Sequence, residues 1–178
     1  STKNTLFLGH YKVDMNASYQ MNNRKLQTDN NTTAFEMVDM DMNTLSYEVK
    51  TYFPSCIGSE YIVGIQGAKK TNRNHKAPNH VIPDANVDDF SFFGLIQKTF
   101  FAKLNTQAGV RYDYRYISTV GETNKDAVNN DFGNVSVSLG STYELNKAFL
   151  LLSNLASAYR TPNIAELTEN GMHGDRYE

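Results

Sequence analysis

QAGVRYDYRYIST, running from Gln107 to Thr119, sorts its side chains by parity almost without exception. Successive side chains of a β-strand point to opposite faces. Ala108, Val110, Tyr112, Tyr114 and Tyr116 therefore share one face, and Gln107, Arg111, Asp113 and Arg115 share the other. One face is apolar and aromatic; the other is polar and charged. A strand in a soluble sandwich alternates this way over roughly 5 to 6 residues. The present stretch runs well past that, into the range of roughly 9 to 11 tilted residues with which a strand crosses a bilayer, lipid on one side and a wet lumen on the other. The expectation is a transmembrane β-strand with Arg111, Asp113 and Arg115 facing the lumen.

The same pattern extends outward along the chain. From Tyr11 to Arg24, Tyr11, Val13, Met15, Ala17, Tyr19 and Met21 alternate with Lys12, Asp14, Asn16, Ser18, Gln20 and Asn22, which places Asn16 and Gln20 on the lumen side. A polar break, TDNNTT, precedes a run from Phe35 to Phe53. There the apolar parity shifts near Asn43 and Thr44, as a β-bulge or an exit from the membrane into an aqueous extension would produce. Glu60 to Gln66 reads as a strand, Lys69 to Val87 as a long loop, and Asp89 to Phe101 as a strand with apolar residues on both faces. Asn134 to Leu145 alternates again, and Phe149 to Tyr159 closes the series. Short turns near Pro54, Ala102 and Asn146 alternate with longer polar segments, the asymmetry of an outer-membrane barrel. All four prolines fall in turns or loops.

The fold expected is all-β: an antiparallel meander of about seven long strands, one partial domain over residues 1–178. The smallest bacterial barrels close with about eight strands, so the chain reads as part of a larger transmembrane barrel. Its open edges are expected at Tyr11 to Arg24 and at Leu150 to Arg160. The alternative is a soluble β-sandwich that binds a ligand or glycan, which would partition into water without detergent.

Composition removes several function classes. With 17 Lys and Arg against 19 Asp and Glu, the formal charge is −2, and no nucleic-acid partner is implied. Cys56 is the single cysteine, so neither an internal disulfide nor a Cys-based zinc site is available. No apolar run approaches the length of a membrane helix, a criterion that leaves a barrel open. There is no nucleophile elbow and no HExxH, and no catalytic or cofactor-binding residue is assigned. His75 and His80 lie in the expected long loop with Asp84, Asp88 and Asp89 near them in sequence. With His173 they are the candidate metal ligands, imidazole and carboxylate being suited to zinc, copper or iron.

Three segments resemble the TonB-dependent outer-membrane receptors, which import ferric siderophores, haem, cobalamin and metal ions in Gram-negative bacteria. Tyr19, Gln20, Asn22 and Arg24 resemble that family's Tyr-Gln-x-Asn-x-Arg strand end, and Gly109, Arg111, Tyr112 and Asp113 its Gly-x-Arg-Tyr-Asp strand. The block from Tyr159 to Glu178 is the most specific. Arg160, Pro162, Glu166 and Leu167 are followed there by Asn170, Gly171, His173, Gly174 and the closing Glu178. Its spacing around Met172, His173, Gly174 and Asp175 is tighter than in many members. Within the block, Asn163 and Glu166 read as a capping box opening a helical turn that ends near Gly171. The resemblance implies a mid-to-late piece, roughly a third, of a barrel of about 22 strands with a plugged lumen. It further implies outer-membrane lipid around the barrel, an iron chelate or other small substrate, and contact with the TonB complex through a region outside this stretch. The plug, the final closing strand and any signal peptide are likewise expected outside it.

Overall fold

The alternation continues through eight antiparallel strands that are neighbours in space in the order in which they occur in the chain. The structure is a computed structural model describing residues 1–29, 34–55, 58–75, 80, 82–121, 127–168, 172–173 and 176–177. Its main sheet contains β1 (Thr2–Leu8), β2 (Tyr11–Asp29), β3 (Ala34–Tyr52), β4 (Ser59–Asn74), β5 (Ala85–Phe100), β6 (Leu104–Thr119), β7 (Asn129–Asn146) and β8 (Phe149–Ala156). A single helical turn, α1 (Ile164–Thr168), and a small ladder of β9 (Met172–His173) with β10 (Arg176–Tyr177) follow. The sheet thus holds eight strands rather than about seven. The added one is β1, where Leu6 lies opposite Val13 and the Thr5 hydroxyl donates to Asp14 at 2.7 Å. One edge of the sheet is therefore β1 and not β2.

Continuous register sorts the two faces into rows. On the apolar face Val13, Thr51, Val63, Gly94, Val110 and Val137 lie side by side across six strands. The next row is Met15, Val49, Ile65, Phe92, Tyr112 and Val135. Aromatic residues flank the valine row on both sides. Toward the hairpin turns, Tyr11 and Phe53 meet edge to face at 5.5 Å, beside Tyr61. Toward the loops come Tyr47, Phe90 and Tyr114, then Tyr19 and Tyr116. Aliphatic rows between two aromatic girdles are the arrangement that a barrel presents to lipid. A sandwich would bury this face under a second sheet, yet Val110 is 52% exposed and Val137 55%. The orientation of β5, ambiguous in sequence, is settled by the ladder: Phe90, Phe92 and Ile96 are exposed on the apolar face, and Phe93 is buried on the other.

The parity change near Asn43 and Thr44 is not a bulge. The β2–β3 register is unbroken from Lys12–Tyr52 to Leu26–Val38 and shifts only between Leu26 and Gln27. What changes is the environment. Toward the loops the polar face acquires its own small core, in which Val38, Met40, Ala85, Val87 and Ile117 are all buried. Pro83 is buried as well, and the Asn72 amide donates to the carbonyls of Ile82 and Pro83, bringing that loop down onto the sheet. The strands consequently reach farther than the sequence reading placed them. Lys69 to Asn74 and Ala85 to Val87, assigned to a loop, are ladder residues. Arg73 supports the extension by donating to the Ala85 carbonyl and the Asn86 side chain.

The opposite end is closed by tight turns. Gly9 and Gly58 sit at φ of 62° and 67°, where a residue without Cβ carries no steric penalty. Asn146 accepts from the Ala148 and Phe149 amides through its side chain, an Asx-type turn.

Candidate functional site

The polar face of β4, β5 and β6 carries a connected charge network. Cross-strand register places Gln66, Ser91 and Asp113 in one row and Ala68, Asp89 and Arg115 in the next. Arg115 grips Asp89 through Nε and Nη2 at 2.5 and 3.1 Å, and Lys70 Nζ reaches the same carboxylate at 2.9 Å. Arg111 donates to Asp113 through Nε and to Ser91 through Nη2, both at 2.7 Å, and its Nη1 reaches Gln66 at 3.4 Å. The Ser91 hydroxyl completes the ring by donating to Asp113 at 2.6 Å. Forked arginine–carboxylate contacts of this kind fix direction as well as charge.

Packing holds the arginine in place from beneath. Phe93 lies opposite Gly64, and a Cβ on that glycine would come within 2.3 Å of the ring. The missing side chain leaves room for the ring above Gly64. The Arg111 guanidinium then sits over the ring at 5.6 Å, a cation–π contact that keeps its donors aimed along the face. Farther along the same face, Asn16 donates to Glu48 at 3.0 Å beside a Lys50–Glu48 pair at 2.9 Å. Gln20 is on this face opposite Thr44.

The segment after β8 lies against the network. Tyr159, Arg160 and Thr161 form one wall of a cavity of about 460 Å³ whose floor includes Lys70, Asp89 and Arg115. The segment is itself held by a reciprocal cap. The Glu166 amide donates to Asn163 Oδ1, and the Asn163 amide to Glu166 Oε2, each at 2.9 Å. Arg160 pairs with the remaining oxygen of Glu166. The Asn163 amide and then Arg160 hold the Glu166 carboxyl below its ordinary range. Arg160, Pro162 and Glu166 of the sequence block thus belong to one small construction in which Pro162 stands just ahead of the capping Asn163. Gly171 and Glu178 lie outside the described residues. His173 belongs to β9, with Arg176 as its ladder partner.

Of the candidate metal ligands, His75 has a carboxylate partner on the neighbouring strand. His75 lies at the loop end, Nε2 2.8 Å from Asp41, and its amide donates to the Asp39 carbonyl. Asn23 bridges the two carboxylates, at 3.1 Å to Asp39 and 2.8 Å to Asp41, and Lys25 pairs with Asp39. The Asp41 hydrogen bond raises the His75 pKa; Asn23 and then His75 lower that of Asp41. The acidic residues near the histidines in sequence are committed elsewhere: Asp84 accepts from Asn74, Asp88 pairs with Lys69, and Asp89 holds Arg115 and Lys70. His80 is half-buried at the loop. Among the described residues, no three His, Cys, Asp or Glu side chains converge to hold a metal ion.

Sequence reading singled out Arg111, Asp113 and Arg115 but missed Gln66, Lys70 and Ser91. Lys70 was hidden by its assignment to a loop. Carrying the β4 alternation past Gln66 would have put Ala68 and Lys70 on the charged face.

A family model described as TonB-dependent receptor-like, β-barrel, matches residues 2–177. No curated protein and no solved structure matches the chain. Receptors of this family are outer-membrane transporters of Gram-negative bacteria rather than enzymes, and they work with TonB. Since the match extends along the whole meander and the segment beyond it, the chain belongs to the TonB-dependent receptor β-barrel family.

Proposed function

We propose that this chain forms wall strands and outer loops of a receptor that imports a scarce iron or other metal chelate across the outer membrane. A ferric siderophore is the leading substrate, with haem, cobalamin or zinc as alternatives. The apolar face meets lipid, and the polar face, with Asn16, Gln20, Arg111, Asp113 and Arg115, lines the lumen. Energy enters through TonB by way of a part of the parent protein outside this chain. The reading is carried by one observation: a single sheet with an uncovered aliphatic band between aromatic girdles on one side and hydrogen-bonded charges on the other. A soluble protein has no use for so large an exposed apolar surface.

The test uses the full-length receptor in outer membranes, with Cys56 and any cysteine outside this chain replaced by serine as background. Single cysteines are introduced at Asn16, Gln66, Val110 and Tyr112 and exposed to a water-soluble maleimide. Asn16→Cys and Gln66→Cys are expected to label; Val110→Cys and Tyr112→Cys are expected to be protected until detergent is added. Equal labelling of all four positions would refute the membrane-wall assignment. Growth of receptor-dependent cells on single iron, zinc, haem and cobalamin sources then identifies the substrate.

A further inference from the structure

Charge is not balanced across the cavity under Tyr159 to Thr161. Arg111 is matched by Asp113, and Arg160 by Glu166. Arg115 and Lys70, however, share the one carboxylate of Asp89. The next carboxylate along the face, Glu48, is matched by Lys50. Among the described residues one positive charge is left over, on a chain whose formal net charge is −2. Lys70 Nζ uses one of its three donors on Asp89. The remaining donors border a cavity of about 460 Å³, large enough for a small polyanion.

We propose that this cavity is an oxyanion-binding station, taking carboxylate or phosphate groups of a small ligand on its way through the lumen. Lys70 is the primary contact, and Arg115 and Arg160 line the same cavity. The proposal rests on the wall assignment above and deepens it by naming the charge class of the cargo: an anionic chelate rather than a neutral or cationic one. Chemistry supports the choice. Asp89 is already saturated by two cations and cannot also neutralise the site, whereas a second oxyanion would give Lys70 and Arg115 one partner each. Salt screens such attraction over about 8 to 10 Å at ordinary ionic strength, so the station acts on ligands already within the lumen.

In the full-length receptor with Cys56 and any cysteine outside this chain replaced by serine, Gln66→Cys provides a probe at the cavity wall. Its modification rates by a negatively and a positively charged thiosulfonate are compared at low ionic strength, each relative to a free thiol. The anionic reagent is expected to be favoured by about three- to tenfold, as one surplus unit charge several ångströms away in a water-like dielectric would produce. Lys70→Gln should abolish the preference, and citrate should slow the anionic reagent in the parent but not in that variant. If phosphate slows it equally, the station accepts oxyanions generally; if citrate alone does, it selects polycarboxylates. Equal rates, a cationic preference, or a preference unaffected by Lys70→Gln would overturn the proposal while leaving the wall assignment intact. A Gln66→Cys that reacts with neither reagent while Tyr112→Cys reacts with both would invert the faces and overturn both readings.

Discussion

Between Lys12 and Leu26, β2 keeps one register against β3, yet the side chains that avoid water change sides along the way. Toward the hairpin turns they are Val13 and Met15, on the face that also carries Val110 and Tyr112. Toward the loops they are Met40, Val87 and Ile117, on the opposite face. Backbone geometry is the same in both halves, so the surroundings choose the face. Lipid rewards an apolar exterior; water rewards an apolar interior covered by the Ile82 to Asp84 loop. The same principle explains where the charges go. In the turn-side half they line the inner face as paired networks, and near the loops they move to the outer face as Lys25, Asp39, Asp41, Arg73 and His75.

Truncation should separate the two halves most strongly. Ile117 is fully buried, and Ile117→Ala is expected to destabilise by about 2–5 kcal/mol through lost transfer energy and the cavity left behind. Val110→Ala opens no cavity, because acyl chains fill the space, and should be mild. Urea titration of the receptor folded into vesicles measures both, and an Ile117→Ala as mild as Val110→Ala would show that the loop-end cluster is not a core.

Adding a charge gives a slightly smaller effect with the contrast displayed along one face. Val110→Arg, in the valine row between the girdles, is expected to cost about 2–4 kcal/mol, whereas an arginine beyond the girdle costs about 0–1 kcal/mol. Met21 occupies such a position, in a row with Asn43, Thr71, Asn86 and Ser118. Equal costs for Val110→Arg and Met21→Arg would remove the membrane boundary drawn between them.

Much of this was legible in the chain. Gln107 to Thr119 and Tyr11 to Arg24 alternate so cleanly that strand and face follow from the residues alone, although β6 begins earlier, at Leu104, and β2 runs on to Asp29, and Asn163 with Glu166 announced the capping box. What was obscured has physical causes. In Phe35 to Phe53 the alternation is also intact, but hydrophobicity reports solvent as well as parity, so an environmental switch imitates a bulge. β1 is only seven residues long, too few for its apolar Leu6 and Leu8 to establish a period. Phe92 and Phe93 could not be oriented locally, because Phe93 owes its burial to Gly64 on the neighbouring strand. The charge network resisted for the same reason: Lys70, Asp89 and Arg115 are brought together by ladder register, and no local spacing encodes that.

The smallest effect expected lies at the outer-face charges of the loop end, where His75 meets Asp41. The His75 pKa is raised above its ordinary 6.5, chiefly by the Asp41 hydrogen bond, and that of Asp41 is lowered from 3.8 by Asn23 and His75. A raised folded-state pKa means that the histidine's contribution is complete below its unfolded value and is lost as pH rises through the raised value. The aspartate's contribution, with the opposite shift, is present above 3.8 and is lost as pH falls through its lowered value. The two overlap between 3.8 and 6.5, where the charged pair fastens the end of β4 to β3. Asp39, Lys25 and Arg73 are the other charged groups on this face, Lys25 paired with Asp39 and Arg73 opposite Asp41. Hydrogen exchange of the His75 amide, which donates to the Asp39 carbonyl, should therefore show local opening becoming easier from about pH 5 to about pH 8, after correction for the intrinsic exchange rate. In Asp41→Asn the His75 pKa should fall back toward its ordinary value and the pH dependence above it should flatten. If opening instead becomes harder as pH rises, or if Asp41→Asn leaves the profile unchanged, the pair is only a surface proximity and the loop end is held by its buried core alone.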